Sequence, residues 1–356
     1  MTAPKEPKNT LRYKHMVARL STLPPYKKEA ALLQEIARGR QWRMDAAIEA
    51  INANPVDWNY INITNVMKMC AMFGRLATVE KLCDLRNYKV GESVPQSPVL
   101  AAFHVASQHG RYRTADAMAA RGAGPDYDAG DRTVPAIHSA VKEGDLRKLD
   151  YLLKKGADKD YALYLATAHQ CDMKIIRHLV EKKGAGVNFA SEGFWTPFLN
   201  AVKHQREELV DYLLAHGATP QNDKSAGEAL YAAVGDNNVG LVRKMLNIGI
   251  KPGGQTLEHA IFEGKLDAAR VLVAEGGSRI DTGKQEPLLL AIVGKSPDEA
   301  VKFCLDNGAR PQAALEALNA DAELYRYGQR DKMKQFLESY LAPKPAAPEA
   351  PQPPKP

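Results

Sequence analysis

Apolar residues along this chain recur at helical rather than strand spacing. In the stretch GFWTPFLNAVKHQREELVDYLLAHGATP, residues 193–220, Phe198, Ala201 and Val202 share one helical face. A polar run from Lys203 to Glu208 follows, and Leu209, Val210, Leu213 and Leu214 then form a second apolar face. Thr196-Pro197 reads as a helix start: the Thr hydroxyl caps an orphan N–H, and Pro at the first position has no hydrogen bond to lose. Gly217 reads as the left-handed residue that closes the second helix. Two helices of about ten residues cannot bury their apolar faces alone, so the pair predicts neighbours of its own kind.

Copies of the pattern occur at a fixed period. A closing Gly-Ala recurs at Gly122-Ala123, Gly156-Ala157, Gly184-Ala185, Gly217-Ala218 and Gly308-Ala309, with weaker forms at Gly249-Ile250 and Gly276-Gly277. Twelve residues before most of these closers lies an inter-helix turn, at Gly110, Gly144, Gln205, Asn237 and Gly264. Six residues before two of those turns stands a His, at His104 and His138, 34 residues apart.

These residues resemble the ankyrin repeat, whose pattern runs T-P-L-H-x-A-A-x-x-G, then L-x-x-V-x-x-L-L, then G-A-D. Here it is matched by TPFLNAV, AFHVASQHG, AIHSAVKEGDLRKLDYLLKKGAD and PLLLAIV…AVKFCLDNGA. The resemblance covers about seven repeats over residues 97–311, some 60% of the chain. It implies an all-α fold, a curved solenoid of stacked antiparallel helix pairs with short β-hairpin turns. It also implies that His104 and His138 support hydrogen bonds between neighbouring repeats. There are departures: Leu199 and Tyr231 stand where the family has His, and residues 161–184 carry one extra residue before the closing Gly. Residues 286–309 carry an extra residue in GKSPDE, where Ser296-Pro297 starts the second helix afresh.

Outside the array, residues 1–28 read as a basic, partly disordered lead, helical around Leu11 to Leu20. Residues 29–96 read as divergent leading helix pairs, and residues 312–341 as a capping pair with an outward polar face. The Pro-rich tail at 342–356 is expected to be extended and disordered.

Composition is that of a soluble globular chain: 356 residues, 45% hydrophobic, 25% charged and 7% aromatic. The net charge of +6 is concentrated, with ten Lys or Arg against three Glu in residues 1–43. No apolar run spans a membrane and no signal-peptide core is visible, so a cytoplasmic location is expected. Cys70, Cys83, Cys171 and Cys304 are read as reduced helix-core thiols.

Catalytic signatures are missing from the sequence: it has no Walker loop, G-x-G-x-x-G, C-x-x-C, H-E-x-x-H or G-x-S-x-G. Glu207-Glu208 and Asp298-Glu299 fall in first turns of second helices, where acids suit the helix dipole. What remains is recognition surface. The residues before the inter-helix turns, Gln108, His109, Lys142, Glu143, His169, Gln170, Lys203 and His204, are expected on the concave face. Ten residues before each turn stand Leu100, Val134, Tyr161 and Trp195, with Phe189 and Phe194 beside the last. They form either an exposed apolar stripe for a partner or packing between neighbouring hairpins. The reading is a non-enzymatic, monomeric scaffold for a protein partner, with no cofactor, metal or small-molecule substrate. The alternatives are an effector, secreted or not, or a regulatory subunit, and contact of residues 1–43 with nucleic acid or membrane.

Overall fold

The structure, a computed structural model, describes residues 10–86, 97–125, 135–191, 195–220, 226–280, 287–320 and 330–341. Among the described residues the secondary structure is helical, with one antiparallel β-bridge between Ser191 and Trp195. The chain divides into two compact units, Met1–Phe189 and Ala190–Pro356. The expected tail, the first nine residues, Val134 and Phe194 lie outside the described residues.

Unit one opens with α1 (Leu11–Ser21), then the pair α2 (Pro25–Arg38) and α3 (Gln41–Asn52), then a 3₁₀ turn, Pro55–Tyr60. Four further pairs follow: α4 (Ile63–Met72) with α5 (Leu76–Arg86), α6 (Pro98–Gln108) with α7 (Tyr112–Ala119), α8 (Ala136–Glu143) with α9 (Leu146–Lys154), and α10 (Lys159–Ala168) with α11 (Met173–Arg177). The first helices α2, α4, α6, α8 and α10 stack on one another in one layer, and the second helices lie behind them. The apolar periods become the core. Ile137, Ala140 and Val141 of α8 and Leu149 and Leu152 of α9 are all buried. Each large side chain so buried contributes roughly 1.5–3 kcal/mol.

α1 is docked rather than trailing. Tyr13 and Leu20 are buried against α3, and the Tyr13 hydroxyl donates to Glu49 Oε2 at 2.7 Å. The first pair also encloses an ion pair. Lys28 Nζ lies 2.6 Å from Asp57 Oδ2, with side-chain exposures of 3% and 6%. Asp57 Oδ1 accepts from Asn54 Nδ2, and Lys28 also donates to the Ala50 carbonyl, so each charge has a second partner besides the other.

The second helices of unit one are laced by ion pairs between neighbouring repeats: Asp45–Lys81, Asp84–Arg121, Asp116–Lys155 and Asp150–Lys183. In each, the carboxylate belongs to the earlier helix. These pairs range from half-buried to exposed and are individually weak.

The irregular repeat at 161–184 shows how insertions are absorbed. Gln170, with φ 56°, marks its inter-helix turn, and Gly184 lies 14 residues on, against 12 from Gly144 to Gly156. The interval is thus two residues longer, not one. One residue is taken up before α11, whose N-cap Asp172 stands two places after the turn where Asp145 stands one. The other is taken up by a π-helical turn, His178–Lys182, continuing α11. Accordingly Ala185 N reaches Leu179 O, six residues back, where Ala157 N reaches Leu152 O, five back.

Among the described residues unit two holds five pairs: α12 (Pro197–Lys203) with α13 (Glu207–Ala215), α14 (Ala226–Gly235) with α15 (Val239–Asn247), α16 (Gly254–Phe262) with α17 (Leu266–Ala274), α18 (Pro287–Val293) with α19 (Pro297–Asp306), and α20 (Pro311–Ala320) with α21 (Arg330–Leu341). Thr196 caps α12 by accepting from Leu199 N, as its sequence predicts. The turns at Gln205 and Asn237 are left-handed, with φ 53° and 56°. The extra residue after α18 is tied down by a bond from Lys295 N to the Phe262 carbonyl of the preceding pair.

Candidate protein-binding surface

His104 is fully buried in α6, and its Nδ1 accepts from the backbone N–H of Ala136, at the start of the next pair. That is the inter-repeat link expected of this position. His138, the same position in α8, is half-buried and bonds instead to a side chain: its Nε2 lies 3.0 Å from the Tyr161 hydroxyl on α10.

From this bond an aromatic cluster spreads over the first-helix face of unit one. The Tyr161 ring stacks with Tyr164 at 6.0 Å and meets Phe189 edge-on at 6.2 Å. Tyr164 and Phe189 lie 6.3 Å apart, and His138 and His169 are also 6.3 Å apart. Tyr161 and Tyr164 project together because they are three residues apart on one helix. Tyr161, Tyr164, Phe189 and His138 are each half-buried, while Lys142, Glu143, His169 and Gln170 at the rim are exposed. Burial, and secondarily the nearby His169, hold the His138 imidazole below its ordinary range. The site is therefore an uncharged aromatic patch with a polar edge.

Unit two has its own aromatic residues on and just ahead of its first helices. Lys203 Nζ lies 4.6 Å above the half-buried Trp195 ring. Tyr231 of α14 stacks on His259 of α16 at 4.2 Å, and Tyr231, Phe262 and Val293 are exposed on three successive first helices. His204 is half-buried; its imidazole is also held low, by burial and then by Lys203 and Arg206.

The expected stripe is thus only partly realised. Leu100 is 2% exposed and is no surface residue. Its helix begins at Pro98, so the position falls inside the first turn of α6 and faces the core. Tyr161 likewise sits within α10 rather than ahead of it. Gln108 is half-buried and His109 exposed, its Nδ1 bonded back to Val105 O. Tyr164, His259 and Val293 were not singled out by sequence reasoning. The i, i+3 tyrosines in DYALYLA were the available signal for the first.

Residues 163–256 match the family model described as ankyrin repeats, three copies. A 2-5A-dependent ribonuclease of Homo sapiens is 41% identical over 70 residues, 19% of this chain and 9% of that protein. A putative ankyrin repeat protein of Rickettsia felis is 33% identical over 106 residues, 28% of this chain and 46% of that protein. The chain spans less than half the length of either relative. Among solved structures, the ankyrin repeat domain of Bcl-3 aligns with a TM-score of 0.39 at 20% identity, covering 67% of this chain and 96% of that one. Helix pairs stacked at the repeat period, together with the family match, identify residues 163–256 of this chain as ankyrin repeats.

Proposed function

We propose that the chain works by binding a protein partner, not by catalysis, and that the α8–α10 face of unit one is the docking site. Ankyrin repeats are general protein-interaction modules, and their fold is typically non-catalytic. The observation that carries the proposal is the preorganised ring cluster: Tyr161 is held by His138 at 3.0 Å and packed against Tyr164 and Phe189. Rigid Tyr side chains at the centre of a polar-rimmed patch are the usual hot spots of an interface. Lys142, Glu143, His169 and Gln170 would form the rim and set orientation.

The test is affinity capture with the intact chain against Tyr161→Ala/Tyr164→Ala, read by quantitative mass spectrometry alongside far-UV circular dichroism. Proteins captured by the parent chain should be lost from the variant, with helical content unchanged. Retention of the same proteins by a folded variant would refute the assignment. Trp195→Ala tests the unit-two surface separately: if that surface takes part, capture weakens without loss of helix.

A further inference from the structure

At the other edge of unit one, three consecutive second helices begin against the rules of helix electrostatics. α3, α5 and α7 follow Gly39-Arg40, Gly74-Arg75 and Gly110-Arg111, the three glycines having φ of 77°, 66° and 66°. A helix start carries partial positive charge and orphan N–H groups, so Asp, Asn, Ser or Thr is preferred there. Arg40 and Arg111 are the N-cap residues of α3 and α7, and neither helix has a side-chain cap. The next two second helices are capped by Asp145 and Asp172, and the basic start returns in unit two at Arg206 of α13 and Lys265 of α17; what sets α3, α5 and α7 apart is that their arginines follow one another in three neighbouring repeats.

The guanidinium groups form a row. Arg75 Nε donates to the Ile36 carbonyl at 2.9 Å, and its Nη2 lies 2.6 Å from where a Cβ on Gly39 would stand. Arg111 Nε donates to the Met72 carbonyl at 3.2 Å, and its Cδ lies 3.2 Å from the same point on Gly74. Each arginine thus lies over the turn glycine of the preceding repeat, beside that repeat's own arginine. Exposed Arg38 and Arg113 flank the row. The carboxylate at this edge, Glu35, is buried and taken by Arg38 and Arg43. Arg40, Arg75, Arg111 and Arg113 form no ion pair among the described residues, in contrast to the cations laced along the second helices.

Aromatic rings interleave with this charge. The Arg43 guanidinium lies 5.0 Å from the Trp42 ring, and that of Arg75 lies 5.8 Å from Phe73. Tyr112, between Arg111 and Arg113 in sequence, turns its ring onto Tyr151 of α9 at 4.4 Å. Guanidinium forks and uncapped helix amides suit phosphate oxygens. Rings beside them suit planar bases. An acidic peptide would use the charges and leave the rings unused. We propose that the turn edge of α2–α7 binds single-stranded nucleic acid, with Arg40, Arg75 and Arg111 on its phosphates and Trp42 and Phe73 beside its bases. This surface is separate from the protein-docking face and stands or falls independently of it.

The experiment is fluorescence anisotropy of the full chain with labelled uridine and thymidine homo-oligomers across a salt series, with poly-glutamate as competitor. Binding should weaken with salt, and the slope of log affinity on log salt should shrink by about 0.7 for each arginine neutralised. The uridine and thymidine arms tell RNA from DNA. Arg40→Asp/Arg111→Asp should lower affinity at least about tenfold, and Arg40→Asp alone, which adds a cap to α3 and removes no side-chain bond, should raise the thermal midpoint. The Arg40 side chain makes no hydrogen bond or ion pair among the described residues, and its carbonyl bonds to Arg43 N and Met44 N survive substitution, so Arg40→Gln should weaken binding on an undisturbed fold. Unchanged affinity in a folded variant would overturn the proposal. So would displacement of the oligomers by poly-glutamate at equal charge, or an absence of binding at low salt.

Discussion

Changing Lys28 to Met should cost the first helix pair about 3–5 kcal/mol, the usual consequence of stranding one partner of a buried ion pair. At 2.6 Å the lost attraction is about 6 kcal/mol for an effective dielectric of 20. Met keeps the aliphatic packing, and Asn54 still donates to Asp57 Oδ1 at 2.9 Å, which holds the cost below the full Coulomb value. The stacked pairs open locally, so the damage should concentrate in α2, α3 and the 3₁₀ turn. Trp58 reports it directly: it is buried, and its indole N–H donates to Asn52 at 2.8 Å. Urea titrations followed by Trp fluorescence, with hydrogen exchange across residues 25–60, should show this region melting well before the rest. The double variant Lys28→Met/Asp57→Leu should recover most of the loss, giving a coupling energy of about 2 kcal/mol or more. A single-variant cost under about 1 kcal/mol, or simple additivity in the double variant, would refute the claim that these charges are sealed from water.

Two other outcomes are expected. His138 has a depressed folded-state proton affinity, so between its ordinary and its lowered value the unfolded chain binds more protons. Stability should therefore fall as the pH drops from neutral through the imidazole range, and His138→Gln should flatten that part of a urea-midpoint profile; a slope unaltered by the change would contradict the assignment. Burial pushes the Cys70 and Cys304 thiols up to about 12 and Cys83 up to about 11, whereas Cys171 is half-buried with its thiol donating to Val141 O. A disulfide reagent at mildly alkaline pH should titrate one thiol in the native chain and four after denaturation, and two fast thiols would count against this packing.

The helix pairs were legible because their signals are local and periodic. The turns at Gln205 and Asn237 could be placed without a glycine, since the twelve-residue interval to the closer fixes them and both take left-handed φ. Leu100 departs from the exposed-stripe alternative because Pro98 starts α6 two residues before it and turns its side chain into the core. The π turn after α11 was visible as surplus length, but nothing in the residues told whether a loop or the helix would absorb it. The Lys28–Asp57 pair joins positions 29 residues apart, off any repeat register, and no pattern could announce it. The aromatic cluster was half legible: Tyr161 and Phe189 were singled out, but their meeting with Tyr164 and His138 needs the stacking of α8 on α10.

The charge lacing along the second helices of unit one has a fixed polarity, carboxylate first and cation second. An internal helix pair therefore carries both halves of the seam, one for each neighbour. Excising or duplicating such a pair by recombination would bring a carboxylate and a cation together again at the new junction. Array length can accordingly drift over evolutionary time without stranding charge where the ends are rejoined.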